Sequence, residues 1–185
     1  DQIVVSVLHV SASDSSGGAA RAAYRIHQAL VRGGKTQSGM IVHHKGTAHD
    51  TVMAPVGALD AAFSRLAVKA SRFIMGSDGR AGSPPCSLGL FPTRLKHFIN
   101  NYDADLVHLH WVGNEIMSVR QIGQLKKPII WTLHDCWPIA GVRHVVADDV
   151  VVGDRVALQQ GGYSRWLERF VMVRKRRAWK NIKHL

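Results

Sequence analysis

The chain has 185 residues, a formal net charge of +11 at neutral pH and two cysteines. That length supports one domain with a sizeable core. Cys86 and Cys136 lie far apart with no paired Cys/His spacing, which argues against a disulfide framework or a structural zinc. No apolar run approaches the roughly 20 residues of a membrane span, and the start lacks the features of a signal peptide, so a cytoplasmic setting is expected.

The first element is the most informative. An apolar run, Ile3 to Val10, predicts a strand, and it stops at a Ser/Asp/Gly loop that opens into a helical pattern from Ala19 to Arg32. Gly17 and Gly18 at that turn let a ligand approach unpaired N–H groups at the helix start, a ready anion site, and Arg21 lies one turn further on. The complete Gly-x-Gly-x-x-Gly fingerprint and the Gly-Lys-Ser/Thr motif are both absent, so neither a nicotinamide dehydrogenase nor a P-loop nucleotidase is supported. Arg32-Gly33-Gly34 ends the helix, and Gln37 to His43 reads as the next strand.

A second helical pattern runs from Leu59 to Met75 and carries Leu59, Phe63, Leu66, Ala67, Ala70, Phe73 and Ile74. Ser77 to Pro85 is a Gly/Ser/Pro loop, Thr93 to Asn100 a short helix, and Leu106 to Trp111 a strand. In that strand His108 and His110 share one side at a spacing of two. Such a pair can bind a metal, but no third ligand lies beside it in the sequence, and no metal is expected. His110, Trp111 and Asn114 are expected at the ligand-facing edge. A helix at Ser118 to Leu125 and a strand at Ile129 to Leu133 follow, and the latter delivers His134 and Asp135 to its carboxyl end. There an imidazole can hydrogen-bond a sugar hydroxyl and a carboxylate can orient it, while Trp137 offers a flat face to a sugar ring.

From Ala140 to about residue 163 the pattern dissolves into an irregular excursion, in which Val145 to Val152 is a candidate short strand. A basic helix, Ser164 to Asn181, then alternates apolar residues with Arg174-Lys175-Arg176-Arg177. Residues 164–185 carry eight Lys/Arg and one Glu, net +7, leaving +4 for the remainder. The helix suits core packing with a solvated basic face, or contact with an anionic membrane. Nothing accompanies it that would favour nucleic acid. Ile182 to Leu185 reads as the start of another strand, and with no initiator Met the chain reads as part of a longer protein. Strands alternating with helices predict a Rossmann-like parallel α/β sheet flanked by helices.

The ordered segments VLHVSASDSSGGAARAAYRIHQAL, DLVHLHWV and KKPIIWTLHDCWPIAG resemble the amino-terminal domain of family-4 retaining glycosyltransferases, especially bacterial enzymes of surface-polysaccharide synthesis. The resemblance covers about residues 4–144. It implies the acceptor half of a two-domain GT-B enzyme, with the nucleotide-sugar domain absent and this piece inactive alone. It assigns Gly17, Gly18 and Arg21 to the donor diphosphate, His134 and Asp135 to the catalytic edge, and His110, Trp111, Asn114 and Trp137 to the acceptor. Its co-substrates are a nucleotide-sugar and a glycan, lipid-linked in some pathways, without a metal, at the inner face of the cytoplasmic membrane. Two other functions fit the same surface: a non-catalytic module for phosphosugars or lipid-linked glycans, and half of a sugar-nucleotide epimerase.

Overall fold

The computed structural model describes residues 4–55, 57–75, 86–145 and 165–182. Within them five parallel strands form one sheet: β1 (Ser6–Ser13), β2 (Gln37–His44), β3 (Val52–Met53), β4 (Leu106–Leu109) and β5 (Ile129–Trp131). Their order is β3-β2-β1-β4-β5. The helices are α1 (Gly18–Gly33), α2 (Ala58–Ile74), α3 (Leu95–Asn101), α4 (Val119–Ile122) and α5 (Arg165–Trp179). This is a Rossmann-like α/β fold.

Alternation along the strands builds two different faces. Leu8 and Val10 of β1, Ile41 of β2, Val107 and Leu109 of β4 and Ile129 of β5 share the main core with Leu95 and Ile99 of α3, Ile122 of α4 and Ala178 of α5. The opposite face carries Met40 and Val42, which pack on Ala23 of α1. It also carries His9 and His108, direct partners in the β1–β4 register. Parallel strands buried on both faces read as apolar runs, which is why four of the five were visible in sequence. β3 was missed: at two residues on the sheet edge it has too little pattern to read.

Element ends follow local chemistry. α1 terminates at Gly34, whose φ of 65° is the left-handed cap that glycine adopts without strain. α4 begins in a reciprocal capping box between Ser118 and Gln121. α2 departs from its sequence pattern: Ser64, Ala67 and Ser71 face inward, whereas Leu59 (86% exposed) and Phe73 (88%) face outward. Small side chains let α2 approach His43, whose Nε2 lies 2.9 Å from Ser64 Oγ.

α5 corrects the image of a uniformly solvated basic run. Lys175 is fully buried, and its ammonium donates to the carbonyls of Trp137, Ala140 (3.0 Å) and Gly141 (2.6 Å). Burial pushes its pKa well below the usual lysine value, while Glu168 and Asp135 favour the charged form. The Ser77 to Pro85 loop, the excursion beyond Val145 with its candidate strand, and the chain after Ile182 lie outside the described residues.

Candidate functional site

Strand order reverses between β1 and β4, and in open α/β sheets ligands bind beyond the carboxyl ends of strands at such a point. β4 there delivers His110 and Trp111, and β5 delivers His134 and Asp135. Ala12 at the end of β1 donates to Trp111 O at 2.9 Å, holding the two chain ends together. His110, Trp111, His134, Asp135 and Trp137 line one depression with Trp131 and His144. Its enclosed space is about 10 Å³, room for a single water-sized group, so it is a shallow polar notch and not a pocket that buries a whole small ligand.

Asp135 organises the floor. One carboxylate oxygen accepts from the Trp111 indole at 2.5 Å and lies against His144 Nδ1, while the other accepts the Trp137 N–H at 2.9 Å. Burial pushes the carboxyl pKa up, but His144, Trp137 and Trp111 together outweigh it and hold the group below the usual carboxylate range. His144 Nε2 pairs with Ser87 Oγ at 2.7 Å, and Ser87 Oγ in turn accepts the Asn114 N–H at 2.7 Å.

Trp137 is enclosed at 1% exposure. Its indole donates to Ser87 O, the Lys175 ammonium sits 3.8 Å from a ring centroid, and His144 stacks at 6.0 Å. His134 is half-buried, with Nε2 3.2 Å from His110 Nδ1. Burial lowers its pKa while Asp135 opposes the shift, so the imidazole is neutral near pH 7.

A second cluster lies beside this floor. His9, His108 and His110 each offer a ring nitrogen, all within 4.8 Å of one another. This overturns the expectation of no metal: the third ligand missing beside His108 and His110 comes from β1, through the strand register. Burial and neighbouring imidazoles lower His9 to about 3 and His110 to about 2, and burial with His134 lowers His108. All three rings are neutral at pH 7, the form a metal requires.

No family model, curated protein or solved structure matches this chain.

The glycine turn opens α1 as expected. Gly17 is the N-cap with φ 91°, no side chain caps the helix start, and Gly17, Gly18 and Arg21 are exposed. None of these three, nor Asn114, is among the residues lining the depression. Asp14 in the same loop is spoken for, accepting the Gly46 N–H at 2.7 Å and both the N–H and hydroxyl of Thr47.

Sequence reading missed four contributors: His9, Asp14, Glu115 and His144. Glu115 is buried with φ 57° and accepts N–H groups from Leu88, Gly89 and Leu90 at 2.8 to 3.0 Å, with a longer contact to Phe91. A non-glycine pair, Asn114-Glu115, in the left-handed region is the strained signature of a shaped turn, but it is invisible in sequence.

Proposed function

We propose that this chain is the acceptor-side half of a retaining, nucleotide-sugar-dependent glycosyltransferase of GT-B architecture. The observation that supports this best is the convergence of His110-Trp111 and His134-Asp135 from adjacent strands beside the β1/β4 reversal, with a glycine-opened helix following β1. In this reading the uncapped N–H groups at Gly17 and Gly18, with Arg21, approach the donor diphosphate and stabilise charge on the departing phosphate. Neutral His134 hydrogen-bonds the transferred sugar. Asp135 fixes the Trp111 indole and the following turn, and His110, Trp111 and Asn114 border the acceptor. Trp137 underlies that surface.

The acceptor is a growing glycan, lipid-linked in one version of this reading. Exposed Arg169 and Arg177 on α5, with Lys180 just beyond it, would meet an anionic membrane at its cytoplasmic face. No helix among the described residues is long and apolar enough to cross a membrane.

The test is sugar transfer by the full native polypeptide across a panel of nucleotide-sugars, with His134→Ala as the variant. Loss of about 100-fold in kcat, with an unchanged circular-dichroism spectrum, is expected for removing a charge-stabilising hydrogen bond. Full activity in that variant would remove His134 from its role. A non-catalytic glycan-binding module is the second reading, favoured by the commitment of both Asp135 oxygens to internal hydrogen bonds. Binding of diphosphate-linked sugars without turnover would establish it instead.

A further inference from the structure

We propose that His9, His108 and His110 form a binding site for one divalent transition-metal ion, of the Zn²⁺ or Co²⁺ class, on the α1 side of the sheet. The placement follows from backbone register. His9 of β1 is directly opposite His108 of β4, and the residue two further along that edge is His110, so three imidazoles share one face. His110 and His9, 101 residues apart in sequence, already bring Nε2 and Nδ1 to 3.0 Å. That is close to the roughly 3.3 Å between neighbouring ligands when metal–nitrogen bonds are about 2.0–2.1 Å in a tetrahedral site.

The outer ring nitrogens bear on the same point. His9 is fully buried and presents Nδ1 to His110 Nε2, while its Nε2, on the far side of the ring, has no hydrogen-bond partner among the described residues. The other two rings are oriented by outside partners: His108 Nε2 by Thr132 Oγ1 at 2.8 Å, and His110 Nδ1 by His134 Nε2 at 3.2 Å. Each therefore keeps its second nitrogen for a metal, the arrangement in which an outer partner fixes the tautomer of a ligating histidine.

The donor set selects the ion. Three imidazoles without carboxylate or thiolate suit Zn²⁺, Co²⁺, Ni²⁺ or Cu²⁺ and disfavour Mg²⁺ and Ca²⁺, which take oxygen ligands. Three protein ligands also leave a position for water or another group, as in sites with open coordination. Through His110 the cluster adjoins His134, so an ion there would act on the depression from beneath. The inference does not depend on sugar transfer.

The experiment is titration of chelator-treated protein with Co²⁺, read by visible d–d absorption, and with Zn²⁺, read by calorimetry. One ion per chain is expected, with Zn²⁺ displacing Co²⁺ and Mg²⁺ failing to compete. His108→Gln, at a half-buried position, and His9→Gln should each weaken binding by more than about 100-fold, beyond the loss expected for an outer partner. A rival imidazole pair away from this cluster is His43 and His44, with ring nitrogens 3.1 Å apart. His44→Ala should therefore leave the Co²⁺ spectrum unchanged. No stoichiometric binding, binding that survives both glutamine substitutions, or binding lost with His44→Ala would each overturn the proposal. Thermal melts of His108→Gln separate ligand loss from unfolding. If His9→Gln fails to fold, His108→Gln decides alone.

Discussion

Glu115 makes a quantitative test of how the turn at residues 88–91 is held. Its carboxylate receives the N–H groups of Leu88 at 2.8 Å and Gly89 at 2.9 Å on one oxygen, and Leu90 at 3.0 Å with the longer Phe91 contact on the other. In Glu115→Gln the amide keeps the shape but has one acceptor oxygen. It will turn that oxygen to the buried Leu88/Gly89 pair and present its NH₂ to Leu90 and Phe91, which are half-buried and better able to find water. One firm charged bond is lost and the two from Leu88 and Gly89 become neutral, a cost of about 2–3 kcal/mol.

Glu115→Ala strands the two buried donors as well, each worth about 1–3 kcal/mol, for a total of about 4 kcal/mol. Glu115→Gly removes the same bonds but relieves the left-handed backbone, recovering about 1 kcal/mol relative to alanine. Urea denaturation of the four proteins at neutral pH measures the series. A glutamine variant as stable as the parent, or an alanine variant less than about 1 kcal/mol below it, would refute the claim that this carboxylate holds the 88–91 turn.

His43 supplies a pH prediction. Burial, with His44 beside it, lowers its pKa from 6.5 to about 4, against the opposing pull of Asp60 on α2. Between those values the unfolded chain takes up a proton that the folded protein refuses. The contribution is therefore intact above pH 6.5 and is lost as pH falls towards 4, by about 3 kcal/mol. Urea midpoints at pH 7 and near pH 4 should differ less in His43→Asn than in the parent, and equal pH slopes would show that this ring is not a source. Gly123→Ala tests the α4–α5 contact. Its φ of −67° is ordinary, but the new Cβ would lie 2.6 Å from the Ala178 carbonyl oxygen. Overpacking of about 1–3 kcal/mol should lower Tm by several degrees, and an unchanged Tm would mean that the helices separate freely.

The sheet was readable because its central strands are short apolar runs separated by helical spacing, and the residues at their carboxyl ends came with them. His110, Trp111, His134 and Asp135 were found this way and do meet in one depression. Side-chain partners were not readable. His9 joins His108 and His110 only through the β1–β4 register, and His144 reaches Asp135 across a turn. Trp137 illustrates the same limit: an aromatic at a strand edge suggests an open sugar platform, but Lys175, 38 residues later, lies over its ring. In α2 the spacing revealed a helix but not its inward side, because close approach to His43 selected small residues over large apolar ones.

The burial of Lys175 bears on when the site can exist. Every described strand of the sheet precedes residue 132, yet the turn after Asp135 is clamped from α5, by Lys175 on the carbonyls of residues 137, 140 and 141 and by Glu168 on the Val142 N–H. A chain emerging from its N-terminus can thus pair its strands while that turn still lacks its anchor. The crevice becomes rigid only when α5 docks, so ligand binding reports the seating of that helix and not merely the pairing of the sheet.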